Sequence, residues 1–343
     1  MKDRLWRAGG FLFAVVATLL FAPSWAQTIP PTVGTAQEVR VATSITFMEG
    51  PTADRSGNIF FSDVIGDRIM RLGTDGKLVT FRMPANIPNG MVMDPEDGLI
   101  VCEVGDPNAK LPPRITRIDT KTGSVKVLVD QYEGQRLMSP NDVTLDGKGR
   151  IYFTNDLRPP FLAPYPNTPI AGIPDKEVNT VGVYRLEPNG VLRRILQSPQ
   201  IRRPNGIMVS PDDRTLYVIE NDPGPNGLRR LLAFDLADDG TTSNQRVFRD
   251  FFPGRSADGM AVDVKGNLYV VAGLNRLRGT TETLDTKAGV YVLSPEGALL
   301  RFIAIPEDTP TNITFAGVDM KTIYVTAGKT LFKFENDIAG LPR

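Results

Sequence analysis

The sequence predicts an all-β protein, a six-bladed β-propeller with four antiparallel strands in each blade. A strand–turn–strand pattern occurs six times, and further strand segments separate the copies. Gly and Pro, at 32 and 28 of 343 residues, suit many short strands and turns better than long helices. Internal repetition of one such supersecondary unit is typical of propellers.

Each repeat begins with a polar residue, continues as a short apolar strand, turns at Asp and Gly, and returns as a second strand. The third copy, SPNDVTLDGKGRIYFTND over residues 139–156, shows the full pattern. We call the polar residues that begin the repeats the lead residues. They are Glu49, Asn89, Asn141, Asn205, Asp258 and Asn312, spaced 40, 52, 64, 53 and 54 positions apart.

Two further strand segments follow each hairpin, as DRIMRLG and KLVTFRM follow the first, which gives four strands per blade. The sixth repeat is one strand short, because only TLFKFEN (residues 330–336) follows its hairpin. We expect EVRVATS (residues 38–44) to supply the missing outer strand and close the ring, leaving only short, protected edges. The predicted propeller therefore covers residues 38–336, with 337–343 as a C-terminal tail.

The N-terminus has the pattern of an export signal. Lys2, Arg4 and Arg7 precede an apolar run over residues 11–22, and Ser-Trp-Ala at 24–26 offers a cleavage site. Twelve apolar residues are too few to span a bilayer comfortably, so no stable membrane anchor is expected. We predict a signal peptide over residues 1–26, a flexible segment over 27–37, and a periplasmic or secreted mature protein.

The composition excludes several functions. With 39 basic and 39 acidic residues, the chain carries no excess charge for a nucleic-acid partner. It contains no histidine, so Ser-His-Asp and Cys-His catalysis and His-ligated zinc are excluded. The single cysteine, Cys102, allows no intrachain disulfide, and its strand-like context GLIVCEV predicts a buried, inert thiol.

In a propeller the innermost strand of each blade lines the central channel, so the lead residues should ring one mouth of that channel. Carboxylate and amide oxygens suit Ca²⁺ or Mg²⁺, and Mn²⁺ less specifically. Asn-Gly and Asp-Gly pairs are also common turn residues, which is the simpler explanation for any single position. Glu49 is the most informative member, because Glu is not favoured in turns.

The ends of the second strands and the loops after them should return to the same mouth. The polar residues at these ends are Asp63, Glu103, Asn155, Asp156, Glu220 and Asn221. The longest insertions, over 158–180, 223–227 and 273–288, should also lie there, where long loops often bind ligands. Arg276 and Arg278 are candidates for contact with an anionic group, although loop arginines are more often solvated.

Several motifs give the chain a family resemblance. They are EGP at Glu49, YEGQRLMSPND ending at Asp142, RPNG around Asn205, DGM at Asp258 and PTN ending at Asn312. The chain resembles, from about Thr46 to Phe334, the senescence-marker-protein/gluconolactonase/luciferin-regenerating-enzyme family of six-bladed calcium propellers.

The resemblance implies that Glu49, Asn141, Asn205 and Asp258 hold a divalent metal. The ion expected is Ca²⁺, with Mg²⁺, Mn²⁺ or Zn²⁺ as alternatives, and Asp258 would also act as base or nucleophile. Asn89, Glu103, Ser139 and Asn155 are candidates for substrate contact. Ser139 stands where animal gluconolactonases have an arginine, and Val104 stands where related sequences often have a histidine.

These observations favour a metal-dependent hydrolase acting on lactones, with a small-molecule substrate. One alternative is hydrolysis of a phosphotriester or another ester on the same metal site. A second alternative, from another class, is a non-catalytic calcium-binding propeller whose mouth binds a small ligand or a protein. Turnover that is lost in Asp258→Asn without loss of the fold would separate the enzymatic explanations from the binding one.

Overall fold

The structure is a computed structural model that describes residues 39–106, 110–157 and 180–342. The predicted signal peptide, the segment 27–37 and most of the first mouth insertion lie outside these residues. Within the described ranges the regular structure is entirely strand. No helix long and apolar enough to cross a membrane occurs in them.

Six four-stranded antiparallel sheets form the blades. The first three blades have their strands in order from the channel outward. Blade 1 contains β2 (Met48–Ala53), β3 (Ile59–Asp63), β4 (Arg68–Leu72) and β5 (Leu78–Arg82). Blade 2 contains β6 (Pro88–Met93), β7 (Gly98–Glu103), β8 (Arg114–Asp119) and β9 (Val125–Val129). A small ribbon, β10 (Gln131–Tyr132) with β11 (Gln135–Arg136), precedes blade 3, which contains β12 (Pro140–Leu145), β13 (Ile151–Asn155), β14 (Gly182–Leu186) and β15 (Leu192–Leu196).

The remaining blades repeat the same order. Blade 4 contains β16 (Pro204–Val209), β17 (Thr215–Asn221), β18 (Arg229–Leu236) and β19 (Thr242–Asp250). Blade 5 contains β20 (Ala257–Val262), β21 (Leu268–Ala272), β22 (Gly289–Leu293) and β23 (Leu299–Ala304). Blade 6 contains β24 (Pro310–Ala316), β25 (Thr322–Ala327), β26 (Thr330–Glu335) and, as its outer strand, β1 (Arg40–Ser44).

The N-terminal strand closes the ring, as the sequence predicts. β1 pairs antiparallel with β26, from Arg40 opposite Lys333 to Ser44 opposite Thr330. The innermost strands also meet around the full circle, with β24 of the last blade against β2 of the first. The six-bladed propeller with four antiparallel strands per blade is therefore confirmed.

The lead residues lie inside the innermost strands and not before them, which corrects the sequence-based placement. In each of these strands the pairing with the second strand shifts beside the lead residue, as between Glu49 and Thr52 or between Pro204 and Ile207. A β-bulge leaves a residue out of the ladder and re-aims its side chain.

The Asn-Gly and Asp-Gly pairs also have a reason other than turn formation. A Cβ on Gly206 would collide with the carbonyl oxygen of Asp258 in the next blade, and one on Gly259 would collide with the Asn312 side chain. Glycine is therefore required at these positions because neighbouring innermost strands approach each other closely. The turn explanation for these pairs is wrong.

Apolar clusters between neighbouring blades form the core. Between blades 5 and 6, Val290, Phe315 and Phe332 pack together, and between blades 6 and 1, Met48 packs with Leu331. Cys102 is fully buried in the cluster between blades 2 and 3, and burial raises the pKa of its thiol well above the usual value. The expectation of an inert thiol is consistent with this environment.

The end of the channel away from the lead residues encloses a cavity of ≈ 540 Å³. Its wall includes Val92, Thr144 and Met208. The segment predicted as a C-terminal tail lies across this end, where Leu341 donates its N–H to Val262 and lines the cavity with Pro342. We call this part of the channel the lower channel, and the end with the lead residues the upper mouth.

Candidate active site

The bulges bring polar side chains from several blades together at the upper mouth. Asn205 of β16 donates a side-chain hydrogen bond to Asp258 of β20. Glu49 of β2 lies close enough to Asp258 and Asp142 for their charges to raise its pKa. The side chains of Glu49, Asn141 and Asn205 are half-buried, whereas Asp258 is buried. Three of the predicted metal-binding residues, Glu49, Asn205 and Asp258, therefore share one pocket.

Asp142 forms a floor beneath this pocket together with Asn312. Its carboxylate accepts hydrogen bonds from the backbone of Val143 and Ile207 and from the Asn312 side chain on the opposite blade. The Asn312 side-chain oxygen in turn accepts the N–H of Ile313 at 2.9 Å, which leaves the amide nitrogen to face Asp142. This bond spans the channel and separates the upper mouth from the lower channel.

Arg255 is the cation of the site. Its guanidinium pairs with the Asp258 carboxylate, and Nη1 donates to the carbonyl oxygen of Pro310 at 3.1 Å. Arg255 is itself buried, so the pair is shielded from water. One basic side chain thus links the carboxylate on blade 5 to the backbone that enters blade 6.

The carboxylates of this pocket are held away from their usual titration range. Burial, and then the charges of Asp258 and Asp142, raise the pKa of Glu49 well above its ordinary value. Burial raises the pKa of Asp142 to about 7, although its hydrogen bonds oppose the change. Burial also raises the pKa of Asp258, against the opposing effect of Arg255. One half-buried and two buried carboxylates beside the Arg255 guanidinium make the pocket acidic.

The polar residues at the ends of the second strands support the chain as it enters the innermost strands. Asn155 accepts the N–H groups of Met138 and Ser139, both at 3.0 Å. Glu220 likewise accepts the N–H groups of Arg202 and Arg203 at 2.9 and 2.8 Å. Each acceptor fixes the two residues that lie two and three positions before a lead residue.

Glu103 and Asn155, predicted to contact substrate, are fully buried in the structure. The Glu103 carboxylate accepts from Asn86 at 2.9 Å, from Thr116 at 2.8 Å and from two arginines. Neither side chain has exposed surface toward the mouth, because both are occupied in holding the loops. Ser139 is also buried, at 1% exposure, which leaves it in the same supporting layer.

Asn89 remains a candidate for substrate contact, and Asn141 remains a candidate metal ligand. The Asn89 carbonyl accepts the Ser62 hydroxyl at 2.5 Å, which ties blade 2 to blade 1 and fixes the lead residue in place. Thr154 fixes the Asn205 carbonyl in the same way at 2.7 Å. The side chain of Asn141 is half-buried at the upper mouth.

The loops of blades 4 and 5 form one wall of the mouth around Arg229. This fully buried guanidinium donates to the carbonyl oxygens of Pro253 and Pro223, at 2.7 and 3.2 Å, and to the Thr281 hydroxyl at 2.7 Å. It therefore joins three loops, and one of them continues directly into Arg255. Of the mouth insertion predicted over residues 158–180, residues 158–179 lie outside the described residues.

The sequence interpretation missed Asp142, Arg255 and the cross-channel role of Asn312. A signal for Asp142 was present, because the residue after the lead residue is glycine in four repeats and aspartate in the third. Arg255 stands three residues before Asp258, but nothing in the sequence shows that it folds back onto that carboxylate. Its orientation depends on the loop held by Arg229.

Fold and site together define a six-bladed propeller whose upper mouth is an acidic pocket lined by carboxylate and amide side chains. The family model of the SMP-30/Gluconolactonase/LRE-like region matches residues 47–329, and the chain belongs to this family. It is 28% identical over 322 residues to a gluconolactonase of Zymomonas mobilis, which covers 88% of this chain and 81% of that protein.

Solved structures agree with this assignment. A gluconolactonase of Xanthomonas campestris is 30% identical, with a TM-score of 0.70 over 87% of this chain and 89% of the other. The calcium-binding protein regucalcin of Agrobacterium tumefaciens, at 17% identity, has a TM-score of 0.66 over 90% and 98% of the two chains. At that identity the second likeness shows the fold alone.

Proposed function

We propose that this protein is an exported hydrolase of lactones that depends on a divalent metal ion, with Ca²⁺ as the expected ion. The observation that carries the proposal is the acidic pocket at the upper mouth, where Glu49, Asn205 and Asp258 converge. Its relatives named gluconolactonase act on lactones, which supports the substrate class. Export rests on the N-terminal pattern of the sequence.

The donor set fits a hard cation. Glu49, Asp142 and Asp258 place three carboxylates together beside Arg255, and an added divalent cation would offset their mutual repulsion. Among the described residues no three His, Cys, Asp or Glu side chains are grouped as a metal site. The proposed ligands differ from such a group because Asn141 and Asn205 contribute neutral amide oxygens, which Ca²⁺ accepts.

Glu49, Asn141, Asn205 and Asp258 would hold the ion, and a bound divalent cation would supply polarisation of the lactone carbonyl. Asp258 takes the proton of the attacking water, or attacks the carbonyl itself. Asn205 and Arg255 orient its carboxylate, and Arg255 opposes the rise in the Asp258 pKa that burial causes. Asn89 would orient the substrate. Lactones are reactive esters, so a histidine-free site is sufficient.

The test is acid release from a panel of lactones at constant pH, using the mature protein after chelation and after addition of Ca²⁺, Mg²⁺, Mn²⁺ or Zn²⁺. We expect turnover that chelation abolishes and one of the ions restores. A phosphotriester and a simple ester in the same panel examine the other hydrolytic explanation. A folded, metal-supplied protein that hydrolyses none of these substrates would leave ligand binding as the function.

A further inference from the structure

The two arginines of the loop over residues 273–288 have different surroundings. Arg276 pairs with Asp308 at 2.8 Å, and its side chain is 82% exposed, so it is a solvated ion pair. Arg278 donates to the hydroxyl of Thr309, which is buried beside β24. The loop therefore directs one arginine outward and the other toward the mouth.

Arg278 approaches the candidate active site from above. Its anchor, Thr309, directly precedes Pro310, whose carbonyl oxygen accepts a hydrogen bond from Arg255. The two guanidinium groups are thus anchored on adjacent residues. Burial and then the charge of Arg255 lower the pKa of Arg278, whereas the nearby carboxylates of Glu282, Asp308 and Asp258 oppose this change. Arg255 is already paired with Asp258, so the positive charge that can attract an anionic ligand here is that of Arg278.

Arg255 and Arg278 differ in whether their charge is paired with a carboxylate. Arg255 has Asp258 as its ion-pair partner. Within the ranges that the structure describes, Arg278 forms no ion pair, and the nearby Glu282 carboxylate instead accepts the Thr280 hydroxyl at 3.0 Å. Arg278 is also exposed, so a solute can reach its side chain.

We propose that Arg278 is a specificity-determining residue that binds an anionic substituent of the substrate, a carboxylate or a phosphate on the end of the lactone remote from the ring carbonyl. This inference rests on the proposed lactonase function and names the substrate class within it. A planar guanidinium donates two parallel hydrogen bonds to such oxyanions. The neighbouring Arg255 is committed to Asp258, so Arg278 contributes binding and takes no part in the chemical step.

The experiment compares Arg278→Gln with Arg276→Gln, a matched control two residues away on the same loop. Three lactones of one ring system are assayed: one neutral, one with a terminal carboxylate and one with a terminal phosphate. We expect the wild type to prefer an acidic lactone, and Arg278→Gln to lower kcat/KM for it by about tenfold to a hundredfold, mainly through KM. The neutral lactone should be unaffected, and Arg276→Gln should behave as wild type.

The dependence of substrate preference on ionic strength separates a binding role of Arg278 from a purely structural one, because a structural role would leave that dependence unchanged. The preference of the wild type for the acidic lactone should fall as ionic strength rises, and Arg278→Gln should show no such dependence. If the protein hydrolyses lactones but Arg278→Gln leaves the acidic-to-neutral ratio unchanged, the subsite is wrong and the lactonase proposal stands.

A binding measurement separates the two proposals further. Calorimetric titration with a sugar monoacid and the diacid of the same chain length needs no turnover. If no lactone is hydrolysed but the diacid binds more tightly in an Arg278-dependent manner, the subsite stands and the lactonase proposal is wrong. Equal binding of the two acids, or a preference that survives Arg278→Gln, would overturn the subsite.

Discussion

The same six innermost strands build two very different ends of one channel. At the upper mouth they present Glu49, Asn205 and Asp258 within an acidic pocket. A few residues further along, the strands present side chains such as Val92, Ala261 and Met208 around the cavity of the lower channel. The Asp142–Asn312 bond lies between the two.

The two ends of the channel differ because of the bulge in each innermost strand, and it is the bulge that creates the site. Regular pairing below the bulge gives ordinary alternation, with small and apolar residues toward the channel. At the bulge the ladder is interrupted, and glycine allows neighbouring strands to approach. Changes above the floor should therefore affect metal binding and chemistry, whereas changes below it should affect packing alone.

The largest effect is expected from Asp258→Asn at the upper mouth. The amide keeps the shape of the side chain but neither accepts the proton of water nor attacks a carbonyl. We expect lactone turnover to fall by about 10²- to 10⁴-fold, the range typical of a lost general base, with circular dichroism unchanged. Asp308→Asn, an acid at the same mouth that pairs with Arg276, is the control. Turnover of Asp258→Asn within tenfold of wild type would contradict the assigned role.

The next largest effect is expected from Arg255→Met, which should lower the unfolding free energy of the protein. In the chelated protein it leaves Asp258 buried without its cation, and breaking such a buried pair costs about 3–5 kcal/mol of unfolding free energy. Excess Ca²⁺ should restore much of this loss. Arg276→Met, at a solvated ion pair, should cost less than about 1 kcal/mol. A chelated Arg255→Met protein as stable as wild type would show that the pair contributes little.

The floor should make the stability of the chelated protein depend on pH. The pKa of Asp142 is raised from 3.8 to about 7, so the folded state retains a proton that the unfolded state releases. This contribution is fully present below pH 4 and is lost as the pH rises through about 7. We expect denaturant melts to show weakening between pH 4 and pH 8, and a smaller slope in Asp142→Asn. An unchanged slope would mean that another group controls it.

The smallest effect is expected from Met208→Leu in the lower channel. The two side chains have similar volumes, so the swap should cost less than about 1.5 kcal/mol of unfolding free energy. Because Met208 lines the cavity below the floor, kcat/KM should stay within about twofold of wild type. A large loss of activity with a normal melting temperature would show that the two ends of the channel are coupled.

Much of the fold was predictable from the sequence because each repeat carries its own strand and turn signals. Closure by β1 followed from a count of strands, since the sixth repeat was one short. The roles of Glu103 and Asn155 were less predictable. A polar residue at a strand end gives the same sequence pattern whether its side chain faces the mouth or supports a loop. Their complete burial decides for the supporting role.

The least predictable contacts are of two kinds. Some join residues that are distant in sequence, and others depend on the conformation of a loop that the sequence does not show. The Asp142–Asn312 bond joins blades 3 and 6 across the channel, and no local pattern records it. Arg278 and Arg276 are two residues apart on one loop, and only the fold shows that one points to Thr309 and the other to Asp308.

The most direct test of the central claim is calorimetric titration of Ca²⁺ into the chelated mature protein. We expect one bound ion per chain, and we expect binding to be lost in Glu49→Gln. Binding should persist in Glu282→Gln, because Glu282 is a buried acid near Asp258 that lies outside the proposed ligand set. Binding should also release protons at pH values where Glu49 is partly protonated, because burial raises the pKa of this proposed ligand. A wild-type protein that binds no divalent ion, or a Glu49→Gln variant that binds Ca²⁺ with unchanged affinity, would contradict a metal centre at the upper mouth.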